Sequence, residues 1–196
     1  NAGEAWPWPV KLYGLRPFGI VIDGEPLRFD GKAPAKPLQL LRLLIAQGGE
    51  PTAIGGVMDR LWPDLEADDA RRAFDVTLNR LRALLVQRDV LLLADGKLGF
   101  DAHRVWIDTH ALAQVLREAG TNAADAAARK RSFERIARLY RQPLLAGDDD
   151  PWIVGAREQW RRRFMLAVDA LAREAERAGD AAETAWMRQW AASLAA

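Results

Sequence analysis

The stretch "ARRAFDVTLNRLRALL", Ala70 to Leu85, sets Arg71, Arg72, Arg80 and Arg82 into a segment that otherwise reads as the buried stripe of an amphipathic helix. Phe74, Leu78, Leu81 and Leu85 recur at i, i+4, i+7 and i+11, which puts them on one side and makes them core. Arg72, Asp75, Val76, Asn79 and Arg80 fall on or near the other side. A bare surface helix usually mixes lysine and glutamate at i, i+4 spacing. Here the exposed face carries side chains suited to reading base edges: arginine donates a bidentate pair to guanine, asparagine does so for adenine, and valine meets a thymine methyl. A solvated face with ordinary salt bridges fits the same residues, so the neighbouring elements decide.

Upstream, "VKLYGLRPFGIVIDGEPLRF" breaks Val, Ile, Leu, Tyr and Phe runs at Gly14, Pro17 and Asp23-Gly24, a pair that tolerates positive φ and favours a tight hairpin. A small antiparallel sheet is predicted. "PLQLLRLLIAQ", Pro37 to Gln47, predicts a nearly all-apolar buried helix, with proline in its first turn and Gly48-Gly49 at its end. In "PTAIGGVMDRLWP", Thr52 reads as an N-cap and Pro63 as a stop, for a short helix turning Ile54, Val57, Met58, Leu61 and Trp62 inward. Gly55 and Gly56 each cost about 1 kcal/mol relative to alanine, so tertiary packing must hold this helix, or the glycines admit a close backbone approach. After "DLEADD", with Asp68 or Asp69 as N-cap, the arginine helix runs to about Gln87. "DVLLLADGKLGFD" then predicts a second hairpin at Asp95-Gly96.

From "VWIDTHAL" onward the chain turns alanine-rich and helical, with a boundary near Arg104 to Ile107. One helix starts at a capping Asp108 or Thr109 and stops at Gly120; others occupy "AADAAARKRSFERIARLY", "DPWIVGAREQWRRRFMLAVDALAREAERAG" and Asp180 to about Leu194. Such antiparallel helices resemble tetratricopeptide-type pairs, without a clean repeat at that family's period.

Composition narrows the function. At 196 residues, 49% apolar and 28% charged, the chain supports two small domains. The absence of cysteine excludes a disulfide scaffold and thiolate metal sites, and fits a cytoplasmic setting. No apolar run approaches the roughly 20 residues of a membrane span, and "NAGEAWPWPV" lacks the regions of a signal peptide. Asn1 and Ala2 read as a remnant of cloning. A net charge of +1 requires any nucleic-acid surface to be local.

Enzyme chemistry is not legible. His103 and His110 lack carboxylate partners at metal-ligand spacing and read as surface or capping residues. Gly55-Gly56 is not followed by the Lys-Ser/Thr of a phosphate loop, and no nucleophile, base and orienter set stands out. No enzyme, cofactor or metal is expected. "DDDPW", Asp148 to Trp152, reads as an exposed helix N-terminus, where negative charge is favourable. "RKR", Arg129 to Arg131, and "RRR", Arg161 to Arg163, read as solvated helix faces or as contacts to DNA phosphate or a polymerase subunit. Trp152, Trp160, Trp186 and Trp190 suit inter-helix packing better than a ligand cage.

Sheet, helix, short helix, arginine helix and hairpin, in that order, are the elements of a winged helix-turn-helix with an N-terminal sheet. "VKLYGLRPFGIVIDGEPLRF", "KPLQLLRLLIAQGG", "LWPD" and "RRAFDVTLNRLRALL" resemble the DNA-binding domain of the OmpR/PhoB class, in the form found in SARP-type activators. "VWIDTHALAQVL" and "ARLYRQPLLAGDDDPWIVGAREQWRRRFMLAVDAL" resemble the bacterial transcriptional activator domain that follows it there. The resemblance spans about residues 10 to 194, and "FDVTLNRLR" and "YRQPLLAG...PW" are its most specific parts. It implies an α+β winged helix-turn-helix with a small antiparallel sheet over 10–105. An all-α tetratricopeptide-like activator domain over 106–196, truncated at its C-terminal end, would follow.

By position, the resemblance implies base contacts from Arg72, Asp75, Val76 and Asn79, and phosphate or minor-groove contacts from Thr52, Arg71, Arg80, Arg82 and Lys97. Its implied partners are double-stranded DNA, RNA polymerase, a second copy bound as a homodimer or in tandem on direct repeats, and upstream sensor or NTPase domains. Two departures stand out. Ala53, Ile54, Gly55 and Gly56 replace the acidic residues that usually continue the cap, and Asp95 accompanies the lone wing lysine. The competing expectation is a protein-interaction module whose winged fold no longer binds DNA. A positive stripe joining Arg72, Arg80 and Lys97 favours DNA; its neutralisation by Asp68, Asp69 and Asp75 favours the alternative.

Overall fold

The computed structural model describes residues 3–86, 88–121 and 123–195; Asn1, Ala2 and the helix end anticipated at Gln87 lie outside the described residues. Contacts divide the chain into two compact units. One takes the chain to Gly14 and then Phe18–His110, and the other takes Leu15–Pro17 and the chain from Ala111 onward.

In the first unit, β1 (Val10–Tyr13) pairs antiparallel with β2 (Gly19–Ile22), which pairs with β3 (Glu25–Pro26). Asp23 and Gly24 take φ of 48° and 90°, the left-handed turn for which their sequence is suited. The predicted all-antiparallel sheet needs correction. A later strand, β7 (Val105–Ile107), lies parallel to β1 with Val10 opposite Val105, so the order is β3-β2-β1-β7. A parallel pair requires a long crossover, and here the helices and the second hairpin provide it. Asp-Gly signals report only neighbouring strands and give no hint of this partner.

The crossover opens with α1 (Ala35–Ala46), in which Leu38, Leu40, Leu41, Leu43, Leu44 and Ile45 are all buried. A helix apolar over most of its surface must be covered on more than one side; it packs on both α2 (Ile54–Leu61) and α3 (Ala67–Leu84), leaving the stripe of Lys36, Gln39 and Arg42 less buried. Gly48 and Gly49, at φ 70° and 83°, end it as expected.

Thr52 does not cap α2. Thr52–Ala53 form a strand, β4, with Thr52 opposite Leu98, and Ala53 occupies the N-cap without a side-chain bond. The physical reason is that a backbone group takes over: the Ile54 N–H donates to the Gly96 carbonyl at 2.9 Å. Gly55 faces open space, so no close backbone approach explains it. Burial of Ile54, Val57 and Leu61 holds the helix, while Met58 and Trp62 are only half-buried.

Helix α3 begins at Ala67 with Glu66 at its N-cap, placing Asp68 and Asp69 in the first turn rather than at the cap. Negative charge suits that turn through the helix dipole. Phe74, Leu78, Leu81 and Leu85 are buried as the periodicity requires, joined by Ala70 and Thr77. The second hairpin comprises β5 (Leu91–Ala94) and β6 (Lys97–Phe100), antiparallel about Asp95 and Gly96 at φ 50° and 70°. With β4 it makes a sheet of order β4-β6-β5.

Asp108 and Thr109 open α4 (Asp108–Thr121), yet both are buried and bond outside the helix. Both Asp108 carboxylate oxygens accept the Gly14 N–H, at 3.0 and 2.9 Å, and the Thr109 hydroxyl donates to the Ile45 carbonyl at 2.7 Å. These residues tie the end of β1 and the end of α1 to the chain's exit from the sheet.

The second unit holds α5 (Ala126–Leu139), α6 (Pro151–Arg177) and α7 (Ala181–Ala195). The reading of "RKR" as a solvated face fails at Arg129, which is 1% exposed. Its guanidinium donates to Glu183 at 2.6 and 2.9 Å and to the Ala123 carbonyl at 3.1 Å. Lys130 and Arg131 are exposed. Arg157 pins the loop before α6 by donating to the carbonyls of Leu144, Leu145 and Asp148 at 2.6 to 2.8 Å. Pro151 starts α6 with Asp150 as N-cap, in line with the reading of "DDDPW". Phe133 meets Trp186 and Trp190 edge-on, though Trp186 remains 44% exposed. Tyr140 stacks on Phe164 at 4.3 Å, and its buried hydroxyl has no hydrogen-bond partner among the described residues.

Two stability outcomes follow from this packing. Leu81→Ala is expected to cost ~2 to 5 kcal/mol in denaturant unfolding through loss of burial and a residual cavity. Burial pushes the Tyr140 phenol above its ordinary value of 10.0. Ionisation is therefore easier in the unfolded chain, and stability should fall as pH rises from about 10 toward the raised folded value. Tyr140→Phe, which removes an unsatisfied hydroxyl, should leave neutral-pH stability unchanged or higher and abolish this alkaline component. Paired melts of parent and variant from pH 7 to 11 measure both.

Candidate nucleic-acid interface

The α3 seam on α1 fixes which side chains face water. With Phe74, Leu78 and Leu81 turned inward, Arg72, Asp75, Val76, Asn79 and Arg80 are all exposed. Their spacing of i, i+3, i+4, i+7 and i+8 makes one continuous stripe. Val76, 51% exposed, is its apolar member. The four residues anticipated as base contacts thus share one face, and Arg80 lies beside them.

Their charges are partly committed within the helix. Arg72 Nη2 donates to Asp69 Oδ1, three residues earlier, and Arg71 Nε donates to Asp75 Oδ2 at 3.2 Å, four residues later. The Arg71 guanidinium also lies 5.8 Å from the Phe74 ring centroid. Arg80 and Lys97 are exposed and have no ion-pair partner among the described residues. The unbroken positive stripe is therefore divided, with paired arginines at the N-terminal end of α3 and unpaired cations at Arg80 and at the hairpin turn.

Two other anticipated residues sit differently. Arg82 is half-buried, and its Nη2 lies 3.4 Å from the Leu91 carbonyl, so it faces the base of the β5–β6 hairpin. Thr52 is half-buried with its hydroxyl 3.4 Å from the Glu50 carbonyl. Since Thr52 is not a helix cap, its reason for meeting an anion is removed. Of the three acids expected to neutralise the stripe, Asp69 engages Arg72 and Asp75 engages Arg71. The i, i+3 spacing of Asp69 to Arg72 carries that pairing, beside the favourable place of an acid in a first helical turn.

The hairpin is fixed to two helices of the crossover, α2 and α3. Gly96 at its turn receives the Ile54 N–H at the start of α2, and Leu91 at its base lies against Arg82 of α3. Lys97 follows the turn directly.

Elsewhere, the N-terminal turns of α5 and α7 border an open groove of about 720 Å³ lined by Ala126, Lys130, Glu134, Asp180 and Trp186. Among the described residues, no three His, Asp or Glu side chains are placed to hold a metal ion, and no helix is long and apolar enough to cross a membrane.

No family model and no curated protein matches the chain. Among solved structures, it is similar to one described as Mycobacterium tuberculosis EmbR in complex with low affinity phosphopeptide, at a TM-score of 0.64 and 22% identity. The likeness covers 90% of this chain and 47% of that one, so the chain spans about half the length of its structural neighbour. At that identity the likeness shows a shared fold, an N-terminal unit with small sheets followed by a helical unit.

Proposed function

We propose that the first unit is a winged helix-turn-helix that binds double-stranded DNA in a sequence-specific manner. In this reading α3 enters the major groove and the β5–β6 hairpin is the wing at the adjacent minor groove. The observation that carries the reading is the single exposed α3 stripe of Arg72, Asp75, Val76 and Asn79, whose side chains match base edges, flanked by Arg80 and Lys97, which have no ion-pair partner among the described residues and lie at positions suited to phosphate. The EmbR-like fold supports the same arrangement.

The protein is then the DNA-binding output part of a longer SARP-type transcriptional activator of the bacterial cytoplasm, with sensor or NTPase domains upstream. The tetratricopeptide-like second unit engages RNA polymerase or a neighbouring copy on direct repeats. Arg82 and Thr52 drop out as first choices for phosphate contact, because one braces the hairpin and the other pairs in β4. A second reading, an interaction module that has lost DNA binding, takes the pairing of Arg72 with Asp69 and of Arg71 with Asp75 as neutralisation of the stripe.

Selection of bound duplexes from a random pool, followed by salt titrations on single-base variants, separates the two. Arg72→Ala and Asn79→Ala should each remove discrimination at one or two base pairs, worth roughly 1 to 3 kcal/mol per lost bidentate contact, without lowering the melting temperature. Arg80→Ala and Lys97→Ala should weaken all sequences alike and shallow the salt dependence by about one counterion each. Unchanged binding by Arg72→Ala and Asn79→Ala, or failure to select any sequence, would favour the interaction module.

A further inference from the structure

We infer that Asp69 is a positioning residue for Arg72, holding its guanidinium toward a base edge and away from phosphate, so that Asp69 sets sequence preference at the expense of affinity. The inference rests on the DNA-binding reading above. It starts from a contrast within one surface: Arg72, at the N-terminal end of α3, is engaged by a carboxylate, while Arg80, two turns later on the same stripe, has no ion-pair partner among the described residues.

Stability does not explain the pair. The Asp69 and Arg72 side chains are 55% and 73% exposed, and pairs that open to water contribute little to folding. The helix dipole favours an acid in the first turn, but Asp68 already provides one, and the dipole makes no demand on Arg72.

The geometry does explain a recognition role. A guanidinium has five N–H donors, and Asp69 occupies one nitrogen, Nη2, leaving the other donors without a partner among the described residues. An arginine on an open helix face samples many rotamers, and freezing them on binding carries an entropic cost. An arginine already braced from its own helix keeps its remaining fork preorganised for the O6 and N7 acceptors of guanine. The same carboxylate opposes phosphate: were Arg72 to swing onto the backbone, Asp69 would follow within a few ångströms of another negative charge. Guanine presents neutral acceptors and brings no such penalty. Arg80, unbraced, is left as a general phosphate contact.

The test uses the full chain, its selected duplex, single-base variants of that duplex and a random-sequence duplex, over a salt range. Asp69→Asn should bind the random duplex several-fold more tightly, with a salt dependence steeper by about one counterion. It should also lose about 5- to 10-fold of the preference at the base pair that Arg72 reads. Asp69→Glu, which keeps the charge on a longer arm, should recover part of that preference. In an Arg72→Ala background, Asp69→Asn should leave preference at that base pair unchanged, because the two residues act as one unit. Full preference in Asp69→Asn, or an equal loss with and without Arg72, would overturn the inference while leaving DNA binding standing. A parent chain that selects no sequence would overturn the DNA reading and this inference with it.

Discussion

The apolar seam between α1 and α3 is the constraint on which the candidate interface depends. Helical residues advance about 100° per position, so burying Phe74, Leu78 and Leu81 sets the rotation of α3 about its own axis. That rotation brings Arg72, Asp75, Val76 and Asn79 outward together. α1 can hold the seam because it is apolar over most of its surface, with Leu40, Leu41, Leu43 and Ile45 fully buried and only Lys36, Gln39 and Arg42 forming a polar stripe. An isolated helix with the polar face of α3 would have little reason to adopt one orientation; tertiary packing provides it.

The hairpin depends on the same framework at two backbone points. The Gly96 carbonyl substitutes for a side-chain cap on α2, and the Leu91 carbonyl lies within reach of Arg82. One group thus has both a local and a long-range duty: the left-handed Asp95-Gly96 turn that closes the hairpin also presents the carbonyl that starts α2. Lys97, next in the chain, is placed by that turn, so its distance from the α2 N-terminus is set by backbone rather than by a flexible loop.

Local patterns were legible in the sequence, and partnerships across the chain were not. The helical period of α3, the apolar run of α1 and both Asp-Gly turns each concern residues a few positions apart, and each appears as expected. The parallel β1–β7 pair, the Gly96 carbonyl that displaces Thr52 as cap, and the Glu183 carboxylate that buries Arg129 all involve partners far along the chain. Asp108 shows the ambiguity at its clearest, since an acid at a helix start reads as a cap whether or not its oxygens are already occupied by Gly14. At the candidate interface the helical period identifies the exposed stripe, but the engagement of Arg72 by Asp69 and the turn of Arg82 toward the hairpin depend on side-chain conformations that composition does not specify.

The central claim is that the exposed stripe of α3 meets base edges, and nuclear magnetic resonance of the labelled chain titrated with a selected duplex tests it most directly. The side-chain N–H signals of Arg72 and Asn79 and the methyls of Val76 should shift strongly with that duplex. With a random duplex of equal length they should shift weakly, while Lys97 responds to both. Perturbations confined to the second unit, or equal responses along α3 to the two duplexes, would contradict base reading by this helix.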